Sequence, residues 1–224
     1  MTRFKDKEKA LALRKKEMSY SQIKSILGVN KSTLSGWLKD YPLSKERIEA
    51  LRGKNEKRIE RYREARRLTK EKRLNGFYLE QKEKIFPFTD RDFFIAGLFL
   101  YWGEGSKTIS KTVCISNTDP SMAIFFIDWA VKYLKIPKEK IHILLHLYND
   151  MDIDKEIKFW AKKIDISKNQ FGKPYIKRSS IKSINYKGMF GHGTCNVRIY
   201  DARLSEKILM AIKVISDKYS NAGL

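Results

Sequence analysis

Apolar residues in the first forty positions recur at helical spacing and are interrupted twice. Ala10, Leu11 and Leu13, set among charges, predict a short helix over Lys7–Lys16. Ser19-Tyr20-Ser21-Gln22 has the spacing of a capping box, and Ile23, Ile26 and Leu27 supply the apolar face of a second helix. Gly28 tolerates the left-handed turn that ends such a helix. Asn30 is expected to cap a third, Lys31–Lys39, with Leu34, Trp37 and Leu38 inward and Pro42 as its stop. Residues 1–44 therefore read as a three-helix unit.

The pattern then thins. From Lys45 to Lys84 only Ile48, Leu51, Ile59, Tyr62 and Leu68 punctuate a charged, helix-forming stretch. Lys57, Arg58, Arg61, Arg63, Arg66, Arg67, Lys70, Lys72 and Arg73 make it basic. Residues 45–87 read as a long helical connector, either a solvated spacer or an arm that tracks phosphates.

Dense apolar patterning resumes at residue 88 and continues to 224. Thr89 is expected to cap a helix over Asp90–Gly103, with Asp90 and Asp92 in its favourable first turn. Phe93, Phe94, Ile95, Leu98, Phe99 and Leu100 make this helix apolar almost all round, which predicts burial. Strands are expected at Lys107–Ser110, Thr112–Asn117, Ile141–Tyr148, Pro174–Arg178 and Thr194–Tyr200. Helices are expected from Asp119-Pro120 through Tyr133, over Asp154–Ile164 and over Ala202–Lys218. The fold class is α+β.

Charge changes the picture most. Lys+Arg number 47 against 26 Asp+Glu, a net charge of +21 that favours a phosphate polyanion or an anionic membrane. The longest apolar run, Phe93–Trp102, is about half of what a membrane span needs. The first residues also lack a signal peptide's apolar stretch. Cys114 and Cys195 sit in strand-like runs without metal-binding spacing and read as reduced residues. Double-stranded DNA, no membrane and a cytoplasmic, nucleoid-associated location are the expectations.

Two short runs carry candidate chemistry. In Gly28-Val29-Asn30-Lys31-Ser32-Thr33-Leu34-Ser35-Gly36-Trp37-Leu38, the side chains of Lys31, Ser32, Thr33 and Ser35 are expected to face outward as DNA contacts. Over roughly residues 7–43 the chain resembles the helix-turn-helix domains of resolvases and transposases. Small hydroxylated side chains contact phosphates as readily as bases, so no target sequence is legible.

The second run is Ala96-Gly97-Leu98-Phe99-Leu100-Tyr101-Trp102-Gly103-Glu104-Gly105-Ser106-Lys107. It ends a helix with a carboxylate, at the pole where the helix dipole is already negative, so Glu104 is expected to want a cation. Two such helices side by side would gather an all-oxygen site suited to Mg²⁺, which activates water beside a scissile phosphate. This run, with Ile115-Ser116-Asn117-Thr118-Asp119-Pro120 and the elements after it, resembles the LAGLIDADG homing endonucleases over residues 88–218.

That resemblance implies an αββαββα saddle over the DNA major groove, Glu104 as catalytic and metal-binding acid, and a homodimer formed across the paired helices. Gly103, directly before the acid, suits close helix pairing; Phe99, five positions before it, does not. The same architecture occurs in DNA-binding regulators without catalysis, where Glu104 would be structural. A recombinase accessory role is a third reading, resting on the N-terminal resemblance alone.

Strand alternation places Ile141, Ile143, Leu145 and Leu147 opposite His142, Leu144 and His146, and Cys195, Val197 and Ile199 opposite Asn196, Arg198 and Tyr200. Asn196, Arg198 and Tyr200, with Lys177 and Arg178 nearby, are the expected DNA contacts of the saddle. His142 and His146, about 13 Å apart on one strand, are too distant to share a metal ion. His192 reads as a turn residue or as an aid to proton transfer.

Overall fold

The structure is a computed structural model that describes residues 4–108, 111–180 and 191–220. It is mixed α+β and divides into two compact units, Met1–Phe86 and Pro87–Leu224.

The first unit is helical. It comprises α1 (Phe4–Lys15), α2 (Tyr20–Leu27), α3 (Lys31–Trp37), α4 (Lys45–Glu49) and α5 (Lys54–Ile85). The capping box forms as expected: Ser19 Oγ accepts from Gln22 N at 3.2 Å, and Ser19 N donates to Gln22 Oε1 at 2.8 Å. Gly28 ends α2 at φ 64°. Asn30 stands at the start of α3, but its side chain makes no capping hydrogen bond. Ala10, Tyr20, Ile23, Val29, Leu34 and Leu38 form the small core, and Leu43, Ile48 and Leu51 a second cluster.

The helix α5 is more than a spacer in its first half. Glu60 is buried and takes both Arg14 guanidinium nitrogens, at 3.1 and 3.0 Å, while its Oε1 also accepts from Tyr20 N at 2.7 Å. Glu56 accepts from Ser19 Oγ at 2.9 Å. These bonds lock α5 against α1 and α2. Beyond Arg67 its residues are exposed on every side.

The second unit holds α6 (Asp90–Glu104), β1 (Val113–Asn117), α7 (Pro120–Asp128), β2 (Ile141–Tyr148), α8 (Ile153–Ile164), β3 (Tyr175–Lys177), β4 (Thr194–Ile199) and α9 (Ala202–Ser220). Thr89 caps α6 through a capping box with Asp92, and Asp119 caps α7 through Ser121 N at 2.8 Å. The helix after Pro120 does not stay regular: Trp129–Tyr133 widens into a π-helical turn.

The sheet order is β1-β4-β2-β3, antiparallel except for the parallel β2–β3 pair. The strand expected at Lys107–Ser110 does not form at Lys107 and Thr108, and the rest of it lies outside the described residues. Gly105 instead makes a single bridge to Ile115, and Ser106 N donates to Cys114 O at 3.0 Å.

One sheet face carries Val113, Ile115, Ile141, Ile143, Leu145, Leu147, Cys195, Val197 and Ile199, all buried in a core shared with Leu98, Phe126, Trp129, Trp160, Ile208 and Ile212 of the helices. Gly97 of α6 lies close against Trp129: a Cβ there would lie 2.1 Å from Trp129 Nε1. One of the two glycines of α6 therefore accommodates a tryptophan of its own unit. Contrary to the expectation of all-round burial, α6 leaves Phe99 52% exposed, stacked on Trp102 at 5.8 Å. The sheet covers only one side of the helix.

Candidate nucleic-acid interfaces

In the N-terminal unit, Leu34 and Leu38 are fully buried, which turns the opposite side of α3 outward. Ser32 and Thr33 are exposed, and Lys31 and Ser35 half-buried. Lys31 is tied to α5 through its carbonyl, which accepts from Arg63 at 3.2 Å. Arg63 also lies 4.1 Å over the Tyr20 ring, and Arg14 lies over the same ring at 4.7 Å.

Partners sort the basic residues of α5. Lys57 and Arg61 are paired with Glu49, which they hold down at a pKa of about 2. Arg67 is paired with Glu64 and Glu71 at 2.6 and 2.5 Å. Arg58, Lys70 and Arg73 form no ion pair among the described residues, and Arg66 meets only the Tyr62 ring, at 5.7 Å. Sequence shows nine equivalent cations; the fold separates structural from available ones.

In the C-terminal unit the second sheet face is half-buried to exposed apart from buried Asn196 and Tyr148, and the strand register orders it in rows. Cys114, Arg198 and His142 lie side by side, then Ser116, Asn196 and Leu144, then Thr194, His146 and Tyr175. Tyr200 follows the end of β4, its ring 5.1 Å from His142, and Tyr175 pairs with His146 at the same distance. Lys177 Nζ sits 4.7 Å over the Tyr148 ring, and Arg178 is exposed just beyond it. Burial, followed by the charges of Lys177 and Arg198, holds His146 below the ordinary histidine pKa.

Asn196 departs from its expected role. It is buried at 3% exposure, its Oδ1 accepting from Ser116 Oγ at 2.5 Å and its Nδ2 donating to Leu144 O at 2.7 Å. Its side chain ties three strands together and lies buried beneath the face it was expected to present. Arg198, in the same strand and half-buried, retains a surface.

Glu104 stands exposed at the C-terminal end of α6. Lys107 reaches that helix end, its Nζ donating to Gly103 O at 3.0 Å. Among the described residues no group of three or more His, Cys, Asp or Glu side chains could hold a metal ion. A Mg²⁺ ion wants six oxygens in near-octahedral array, so one chain with a single exposed carboxylate does not fit it.

His192 has a defined environment that its sequence position concealed. Its Nδ1 lies 2.7 Å from Oε2 of buried Glu156, its ring stacks 3.4 Å from Phe159, and its carbonyl accepts from Trp160 Nε1 at 2.7 Å. One turn of α8 grips the entry to β4. Glu156 and His192 are 36 positions apart, so no local motif marks the pair.

No protein-family profile, curated protein or solved structure matches this chain. Among the described residues no helix is long and apolar enough to cross a membrane.

Proposed function

We propose that the protein binds double-stranded DNA through a helix-turn-helix in its N-terminal unit and through the open face of its C-terminal sheet. The observation that carries this reading is the construction of α3. Buried Leu34 and Leu38 back a surface of Lys31, Ser32, Thr33 and Ser35, reached through a left-handed turn at Gly28. Such a helix presents its first residues to base edges and phosphates. On the sheet, Arg198, Lys177, Arg178, Tyr175 and Tyr200 form a cationic, aromatic surface of the kind a saddle lays on a groove.

The test is a titration of a mixed-sequence duplex by fluorescence anisotropy. The alanine variant of Lys31, Ser32 and Ser35 is expected to weaken binding at least tenfold. Equal affinity in that variant would remove α3 from the interface.

A second reading, a homing-type endonuclease acting as a homodimer with Mg²⁺, is favoured by one feature of α6. Gly103 is exposed directly before Glu104, with open space where its Cβ would stand, although exposed Phe99 one turn earlier suits close pairing less. A second copy packed there would supply the second carboxylate that one chain lacks. Without it the protein is a non-catalytic DNA-binding regulator. A randomised DNA library incubated with Mg²⁺ separates the two. Cleavage by the wild type but not by Glu104→Gln, with a dimer in sedimentation, supports the nuclease; intact DNA beside tight binding supports the regulator.

A further inference from the structure

The N-terminal unit contains a groove of about 1280 Å³ between α3 and the middle of α5. That exceeds the roughly 300–1,000 Å³ of a small-molecule pocket. Lys31, Ser32, Ser35 and Lys39 line one wall; Arg58, Tyr62, Arg66, Lys70 and Arg73 line the other. Nine cations line it against four acids, and of those acids Glu60 is paired with Arg14 while Glu64 and Glu71 share Arg67. The groove is therefore strongly cationic, and Lys31, Lys39, Arg58, Lys70 and Arg73 form no ion pairs among the described residues.

Its two walls are fixed to each other. The buried Arg14–Glu60 pair and the Arg63 bond to Lys31 O hold α5 at a set distance from α3. We infer that this groove seats a sugar-phosphate strand of bound DNA, so that α5 is one wall of the reading site. The inference rests on the DNA-binding reading above. A strand so placed passes its phosphates along Arg58, Arg66, Lys70 and Arg73 while the duplex presents its bases to Ser32 and Ser35. The cations then position the recognition helix, because phosphate contacts set register and base contacts select sequence.

The experiment compares two charge-matched pairs in the full chain, Arg66→Ala/Lys70→Ala inside the groove and Lys72→Ala/Lys82→Ala on exposed positions of α5 outside it. All four side chains are exposed, and thermal melts should match wild type. The dissociation constant for a 30-bp mixed-sequence duplex is measured from 50 to 300 mM NaCl. Removing one cation from a phosphate lowers the slope of log K against log salt by about 0.9, so the groove pair is expected to lower it by about 2 and the outside pair by far less. Equal changes in both pairs, or none in either while wild type binds, would overturn the groove. If wild type binds no duplex at all, the DNA-binding reading fails and the groove's role fails with it.

Discussion

Gly97 shows how much one residue can decide. Its missing Cβ gives Trp129 its place against α6, and the indole is fully buried there. Overpacking a filled core costs about 1–3 kcal/mol. With the ring unable to move into solvent, Gly97→Ala is expected near the upper end, read as a fall in the urea midpoint at unchanged slope. An unchanged midpoint would mean that α6 and the π-helical turn at Trp129–Tyr133 separate more easily than their packing implies. Asn196 teaches the complementary lesson. An amide on an open face looks like a base reader, yet here its donor and acceptor hold neighbouring strands.

At the scale of elements, α5 is the one whose role changed most. Its composition describes a charged rod, and nothing in its local pattern distinguishes Glu60 from its other carboxylates. Glu60 is nonetheless buried with Arg14 across 46 residues of sequence. Removing one partner of a buried ion pair costs about 3–5 kcal/mol, because the other charge stays desolvated. Glu60→Gln is expected to lower the stability of the helical unit by about that amount. If the proposed DNA binding holds, the variant should weaken it as well, since α5 would no longer be locked to α1 and α2 beside α3. A variant with wild-type stability in circular-dichroism melts would show the pair to be replaceable by water. The helix α6 changed in the opposite sense: uniform apolarity implied burial, whereas the unit has a sheet on only one side of it.

For the whole molecule, charge and pH act together. The +21 net charge makes any DNA affinity steeply salt-dependent. His146 lies on the open sheet face with its pKa lowered from 6.5, first by burial and then by Lys177 and Arg198. The native state thus favours the neutral ring, and the unfolded chain takes up the proton first. Stability is unaffected above the ordinary value and falls as pH drops from 6.5 through the lower native value. His146→Gln should flatten that part of the pH–stability profile. Phosphates brought to the sheet face would oppose Lys177 and Arg198 and raise the His146 pKa. An NMR titration of its ring proton with and without duplex is expected to show an upward shift. No shift would take this face out of the interface.

Local chemistry made several features legible beforehand. The capping box at Ser19, the cap at Thr89, the turn at Gly28 and the alternation of β2 and β4 depend on residues within a few positions of one another. Dihedral preference and nearest-neighbour bonding suffice to produce them. The α+β class and the positions of most helices followed from the same short-range periodicities.

Tertiary structure alone decided which polar groups remained free. It paired Arg14 with Glu60, set His192 against Glu156, enclosed Asn196 between strands and left Arg58, Arg66, Lys70 and Arg73 outside the ion pairs of the described residues. Each of those contacts joins residues far apart in the chain. Desolvation and charge pairing act through space, and periodicity along the sequence carries no record of them.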